Sequence, residues 1–211
     1  MKIKTGRVAL TAMVLMALVG CERGRAEGSE NSTSPASGAQ SSTQAGLSPE
    51  DLQSRWWTWA LSEPVGTNPV ADEDGSDCER NQPSDVWFLA GTFGTQAKRT
   101  CSVPEGVPVA FPLVNLMGEP TDCAIFMNSA NGSAVLDGEE VDSETSLGEA
   151  ISVQSVALNP VTGTDGRFTT TGCGLWVQLP PLKPGNHTLT IRGRARDFAV
   201  DVDYSLTVGA A

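Results

Sequence analysis

The sequence predicts a mainly β protein: an antiparallel β-sandwich, immunoglobulin-like or jelly-roll-like, with one N-terminal amphipathic helix. Three observations predict it. Apolar and polar residues alternate over short stretches, most clearly Phe198, Val200, Val202, Tyr204, Leu206 and Val208 against Ala199, Asp201, Asp203, Ser205 and Thr207, which is the period of a half-buried strand. Gly and Pro, at 22 and 13 of 211 residues, cut the chain into short units joined by turns. A helical period stands out at one place, where the folded region begins.

The chain opens with Lys2, Lys4 and Arg7, continues through an apolar run from Val8 to Val19, and reaches Leu18-Val19-Gly20-Cys21. This is an export signal, too short to span a bilayer as a stable helix. Leu18-Val19-Gly20-Cys21 resembles the bacterial lipobox. The resemblance implies removal of residues 1–20 as a lipoprotein signal peptide and acylation of Cys21, with palmitate among its chains. Two or three buried chains hold a protein durably where one does not, so the expected partner is the lipid bilayer, reached through Cys21. Residues 21–47 form a Ser-, Gly- and Glu-rich tether, too poor in apolar side chains to fold. Twenty-five such residues reach about 25 to 30 Å. Residues 48–211 are expected to make a single β-sandwich domain.

Ser48 can cap the first helix, Pro49 suits its first turn, and Glu50 and Asp51 complement its positive end. Leu52, Trp56, Trp59 and Ala60 then share one stripe, and Pro64 and Pro69 end it. Asp85 to Phe93 and Val107 to Leu116 are apolar on both faces and read as central strands, with Pro112 requiring a bulge or an edge. Asp137-Gly138 between apolar neighbours predicts a tight hairpin. Ile151 to Leu158, Cys173 to Leu179 and His187 to Ile191 bring the set to about seven or eight strands.

Loss of residues 1–20 removes three of the 14 basic residues and none of the 25 acidic ones, leaving 11 against 25. Nucleic acid is excluded as a partner by that balance, because reading phosphates takes clustered cations. Cys78, Cys101, Cys123 and Cys173 are an even set in an exported chain and read as two disulfides. Four cysteines allow three pairings and spacing does not choose among them; the expectation is Cys78 with Cys101, clasping one strand unit, and Cys123 with Cys173. A zinc site is disfavoured because no C-x-x-C spacing occurs.

Three features are candidate sites. Trp57, Trp59 and Trp176 would offer ligand-stacking faces if exposed, whereas an overlying segment would bury them. Asp72, Asp74 and Asp77 surround Gly75 and supply the oxygens of a calcium loop, though without EF-hand spacing. His187, the one histidine, lies on the face of Leu189 and Ile191. No catalytic residue is assigned, because no nucleophile sits in a G-x-S-x-G turn and no two carboxylates are singled out. No cofactor other than possible calcium is expected.

Pro181-Leu182-Lys183-Pro184-Gly185-Asn186-His187-Thr188-Leu189, with the strand after it, resembles the last hairpin of bacterial immunoglobulin-like surface domains. Trp57-Thr58-Trp59-Ala60-Leu61-Ser62, Asn68-Pro69, Cys78, Val86-Trp87-Phe88-Leu89-Ala90-Gly91-Thr92, Arg99-Thr100-Cys101 and Val103-Pro104-Glu105-Gly106 resemble a group of uncharacterised exported bacterial proteins. That likeness implies a structural unit at Cys78 and Cys101, and no activity. The functional expectation is a non-enzymatic envelope lipoprotein, lipid-anchored on the periplasmic or extracellular face of a membrane, that binds a glycan or a protein. Its rivals are an envelope carbohydrate-active hydrolase, using the acidic loop and the Trp-rich helix, and a purely structural envelope component.

Overall fold

Ser48 accepts the Asp51 N–H at 3.2 Å and starts helix α1 (Pro49–Ala60). The computed structural model describes residues 46–209. The signal peptide, Cys21 and almost all of the tether lie outside them. After α1 the strands are β1 (Trp87–Phe88), β2 (Gln96–Pro104), β3 (Val109–Gly118), β4 (Asn131–Leu136), β5 (Glu139–Val141), β6 (Glu144–Ser155), β7 (Gly166–Leu179), β8 (Gly185–Ala195) and β9 (Phe198–Gly209), with helix α2 (Pro120–Met127) between β3 and β4.

The strands form two sheets. The first has the order β1-β3-β7-β6 and the second β2-β9-β8-β4-β5. The packed pair is a β-sandwich, but its sheets are mixed and not purely antiparallel: β1 runs parallel to β3 and β2 parallel to β9. The cause is residues 89–95, which carry the chain from one sheet to the other and bring β2 in alongside the last strand. Between the sheets lies the main core, with Phe111, Leu113 and Val177 from one side and Ile191, Val202 and Leu206 from the other. A second core, including Phe88, Ala110, Ile151, Val153 and Trp176, fills the space between the first sheet and α1. The helix therefore forms a third layer.

Local chemistry explains the details. The register of β3 against β7 shifts between Pro112 and Val114, so the expected bulge falls at Leu113. It pushes the Leu113 backbone against the second sheet, where only a glycine fits: a Cβ at Gly193 would lie 1.9 Å from the Leu113 carbonyl oxygen. Asp137 and Gly138 have φ of 52° and 89°, the two positive values of a type I′ turn. Asp85 to Phe93 is not a central strand; β1 keeps two residues and sits at an edge. Gln82 closes that edge by imitating a neighbouring strand, accepting the Phe88 N–H at 2.8 Å and donating to the Phe88 carbonyl at 2.8 Å.

Both expected disulfides are present. Cys78 joins Cys101 on β2, and Cys123 on α2 joins Cys173 on β7.

Candidate functional site

The three candidate indoles are not ligand platforms. Trp57, Trp59 and Trp176 are 8%, 4% and 2% exposed. The apolar underside of α1 and the Trp176 face of β7 close on each other, and Trp56 lies among all three, with ring centroids 5.1, 6.0 and 5.6 Å away. Trp56 Nε1 donates to the Leu89 carbonyl at 3.0 Å and Trp59 Nε1 to the Arg80 carbonyl at 2.9 Å. These bonds stitch residues 80–89 over the helix.

Nor is the acidic loop a calcium site. Asp72 Oδ1 accepts the N–H groups of Asp74 and Gly75 at 3.1 and 3.0 Å, and Oδ2 that of Asp77 at 3.1 Å. Asp74 accepts the Ser76 N–H, which holds its carboxyl below the usual range. These lone pairs fold the loop back on itself, and among the described residues no three His, Cys, Asp or Glu side chains converge to hold a metal. The loop instead covers the free edge of β2: Lys98 and Thr100 donate to the carbonyls of Glu73 and Asp74 at 3.2 and 2.8 Å. Gly75 is required by closeness, since a Cβ there would sit 2.3 Å from the Thr100 oxygen.

Beneath this loop is a buried cation that the sequence reading missed. Arg99, 2% exposed, donates from Nε to the Asp72 carbonyl at 2.8 Å and from Nη2 to the Val70 carbonyl at 3.1 Å. Its Nη1 reaches the carbonyls of Ala90 and Gly91 at 2.9 and 3.0 Å and the Tyr204 hydroxyl at 2.8 Å. Every acceptor is neutral. The charge is balanced by dipoles and closed to solvent, so this centre organises residues 70–91 and offers no reactive group.

His187 places Nδ1 2.6 Å from an Asp137 carboxylate oxygen and Nε2 2.8 Å from the Lys183 carbonyl. Both partners are acceptors, so both ring nitrogens donate only when the ring is charged. The Asp137 hydrogen bond, first, and that to Lys183 raise the His187 pKa above its ordinary 6.5, and the same contact lowers that of Asp137 below 3.8. With both nitrogens engaged, the ring clamps a hairpin to the strand beside it. The two parts a sugar-hydrolysing site needs therefore do not meet: the indoles are buried and the acids are folded onto β2. A groove of about 760 Å³ beside Trp87, Val103, Pro104 and Val107 carries Glu79 as its one titratable lining residue, which leaves it without an acid and base pair.

What the fold does present is a pair of loops beyond the far end of α1. At the near end, Leu47 exchanges hydrogen bonds with the Gln178 carboxamide at 2.8 and 3.0 Å. Twelve residues of helix later, about 18 Å away, residues 61–67 meet residues 156–165. The buried Asn68 and Asn159 amides donate to the Ala60 and Glu63 carbonyls there, from 2.8 to 3.4 Å. Val65 N–H donates to the Leu158 carbonyl at 2.9 Å. On this rigid frame stand Val65, Leu158 and Val161, exposed at 71%, 72% and 39%. The sequence signal was present but easy to pass over: aliphatic residues set singly among turn formers, beside Asn68-Pro69 and Asn159-Pro160.

No family model matches this chain, and no curated protein matches it. Two solved structures are similar to parts of it. PbICP-C in complex with falcipain-2 is 13% identical over 60% of this chain and 100% of the other, with a TM-score of 0.29. Amebosin in solution is 14% identical over 54% of this chain and 96% of the other, with a TM-score of 0.20. At those scores neither likeness bears on fold or function.

Proposed function

We propose that this chain is a bacterial envelope lipoprotein, acylated at Cys21 and tethered through residues 22–47, whose folded domain binds another protein without catalysing a reaction. The observation that carries the reading is the separation of two ends. Residues 1–45 join the domain beside Leu47, at one end of α1, while the exposed aliphatic loops lie beyond the other. The chain therefore enters the described domain at the end of α1 away from those loops. A protein partner is favoured over a glycan because the side chains presented are aliphatic and the indoles that would stack on sugar rings are buried.

Metabolic labelling with an alkyne-bearing palmitate tests the anchor in a bacterium expressing the full chain. The native protein is expected in the membrane fraction, labelled, with its leader removed. Cys21→Ser is expected to lose the label and leave that fraction. A native product with a free thiol at Cys21, or with the leader uncut, overturns the reading.

A further inference from the structure

We infer that the groove beside Trp87 receives an extended segment of another protein, of the pattern apolar, any residue, apolar, which adds itself to the edge of β2 at Ser102. This goes beyond the function proposed above and depends neither on acylation of Cys21 nor on loops 61–67 and 156–165. It follows from where the main-chain hydrogen bonds of that edge go. Lys98 and Thr100 turn their N–H groups away from β9 and onto the carbonyls of Glu73 and Asp74. Main-chain groups alternate in direction along a strand, so Ser102 turns the same way. The acidic loop stops short of it, and among the described residues its N–H and carbonyl have no partner on that side. Ser102 lines the groove, so a free donor and a free acceptor face it side by side. Pro104 ends the row, having no N–H to offer, and the facing edge at Phe88 is already closed by Gln82.

Geometry sets the pattern of the occupant. In an antiparallel pair, the residue opposite Ser102 exchanges both hydrogen bonds with it and shares its exposed outer side. The two neighbours of that residue then point the other way, as buried Cys101 and Val103 do, into a groove walled by Trp87, Pro83 and Val107. Its volume of about 760 Å³ suits side chains and not a folded domain. Glu79 is the one titratable lining residue, so a charged side chain entering there would lose water without gaining a partner of opposite sign. Trp87 is 6% exposed with its Nε1 unpaired, a further donor in the wall that a peptide carbonyl can satisfy. A fatty acyl ester would fill the apolar walls but brings no N–H for the Ser102 carbonyl. The loop that covers Thr100 would also stand between the β2 edges of two copies. Main-chain pairing supplemented by alternate side chains in pockets is the way extended peptides join sheet edges.

The probe is the uncharged peptide acetyl-Thr-Val-Ser-Val-Thr-amide, added at millimolar concentration to the full chain carrying Cys21→Ser and followed by amide NMR. Shift changes are expected at the residues lining the groove, with exchange of the Ser102 amide proton slowed at least tenfold. Methylating the central peptide nitrogen, or replacing both peptide valines with aspartate, is expected to weaken binding at least tenfold. In the protein, Ser102→Pro removes the unpaired N–H at a position where a strand edge tolerates proline, and should weaken binding at least tenfold with the melting temperature kept. Val107→Asp should do the same from the apolar wall. Should either variant fail to fold, the N-methylated peptide asks the same question of the unaltered groove. Binding that ignores N-methylation, shifts centred elsewhere, or no binding at all overturns the inference. So does methyl palmitate that holds the groove against the peptide, or self-association through residues 102–104. The palmitate labelling decides the anchor independently, because every arm here lacks Cys21.

Discussion

Replacing Arg99 with Met tests whether the buried cation organises this fold. The substitution keeps much of the side-chain volume and removes all five donors. The carbonyls of Val70, Asp72 and Gly91, each bonded to the guanidinium at 2.8 to 3.1 Å, lose that donor; the Ala90 carbonyl keeps the Tyr204 hydroxyl at 2.8 Å. A buried polar group left without a partner costs about 1 to 3 kcal/mol, so three of them cost roughly 3 to 9. Relief from burying a charge offsets part of this, and breaking such a centre typically leaves a net loss of about 3 to 5 kcal/mol. For a domain of this size that lowers the melting temperature by roughly 10 to 15 °C. Arg99→Lys keeps the charge but not the planar fork and should lose about 2 kcal/mol. Urea unfolding of the oxidised protein, followed by tryptophan fluorescence, measures both. A loss below about 1 kcal/mol for the Met variant would show that these carbonyls do not depend on Arg99, and the organising role would fall.

Three further outcomes are expected. Trp176→Ala should cost about 3 to 5 kcal/mol by opening a cavity under α1 and leave retention on polysaccharides unchanged; a stable variant with altered retention would return the indole to the ligand. The His187 and Asp137 pair should give a pH-dependent increment of about 0.5 to 1 kcal/mol, small because the carboxylate is 45% exposed. Its histidine part is complete below pH 6.5 and lost as pH rises through the raised His187 value, and its aspartate part is present above pH 3.8 and lost as pH falls through the lowered Asp137 value. His187→Gln should flatten the alkaline limb of a melting-temperature profile, and an unchanged slope would count against the clamp. Reduction should remove loop constraints spanning 23 and 50 residues, about 3 to 4 kcal/mol each by chain entropy. Equal urea midpoints with and without reductant would contradict that.

Much of the fold was legible because its periods are local. The alternation in β9, the Asp137-Gly138 turn, the bulge demanded by Pro112 and the cap and stripe of α1 each declare themselves within a dozen residues. What escaped depends on distant partners. In β2 the buried positions are Ala97, Arg99, Cys101 and Val103, and a cation among them hides the apolar face until the carbonyls of Val70, Asp72, Ala90 and Gly91 are in place. Helix α2 is eight residues long, and its signal was the reciprocal cap of Glu119 and Asp122. The acidic loop reads as a cation site when its carboxylates are counted and as an edge cover once its N–H groups are traced. Leu158 carries no periodic mark, and only the φ it adopts and the solvent around it make it conspicuous.

The place of β9 between β2 and β8 has a temporal consequence. Gln96 bonds Asp201, 105 residues later, so β2 has no partner and the second sheet lacks an inner strand until residues 198–209 are available. A polypeptide that stops short of β9 cannot complete this structure. If residues 1–20 act as the export signal proposed above, such lateness keeps the chain pliable during transit and defers closure to the far side of the membrane.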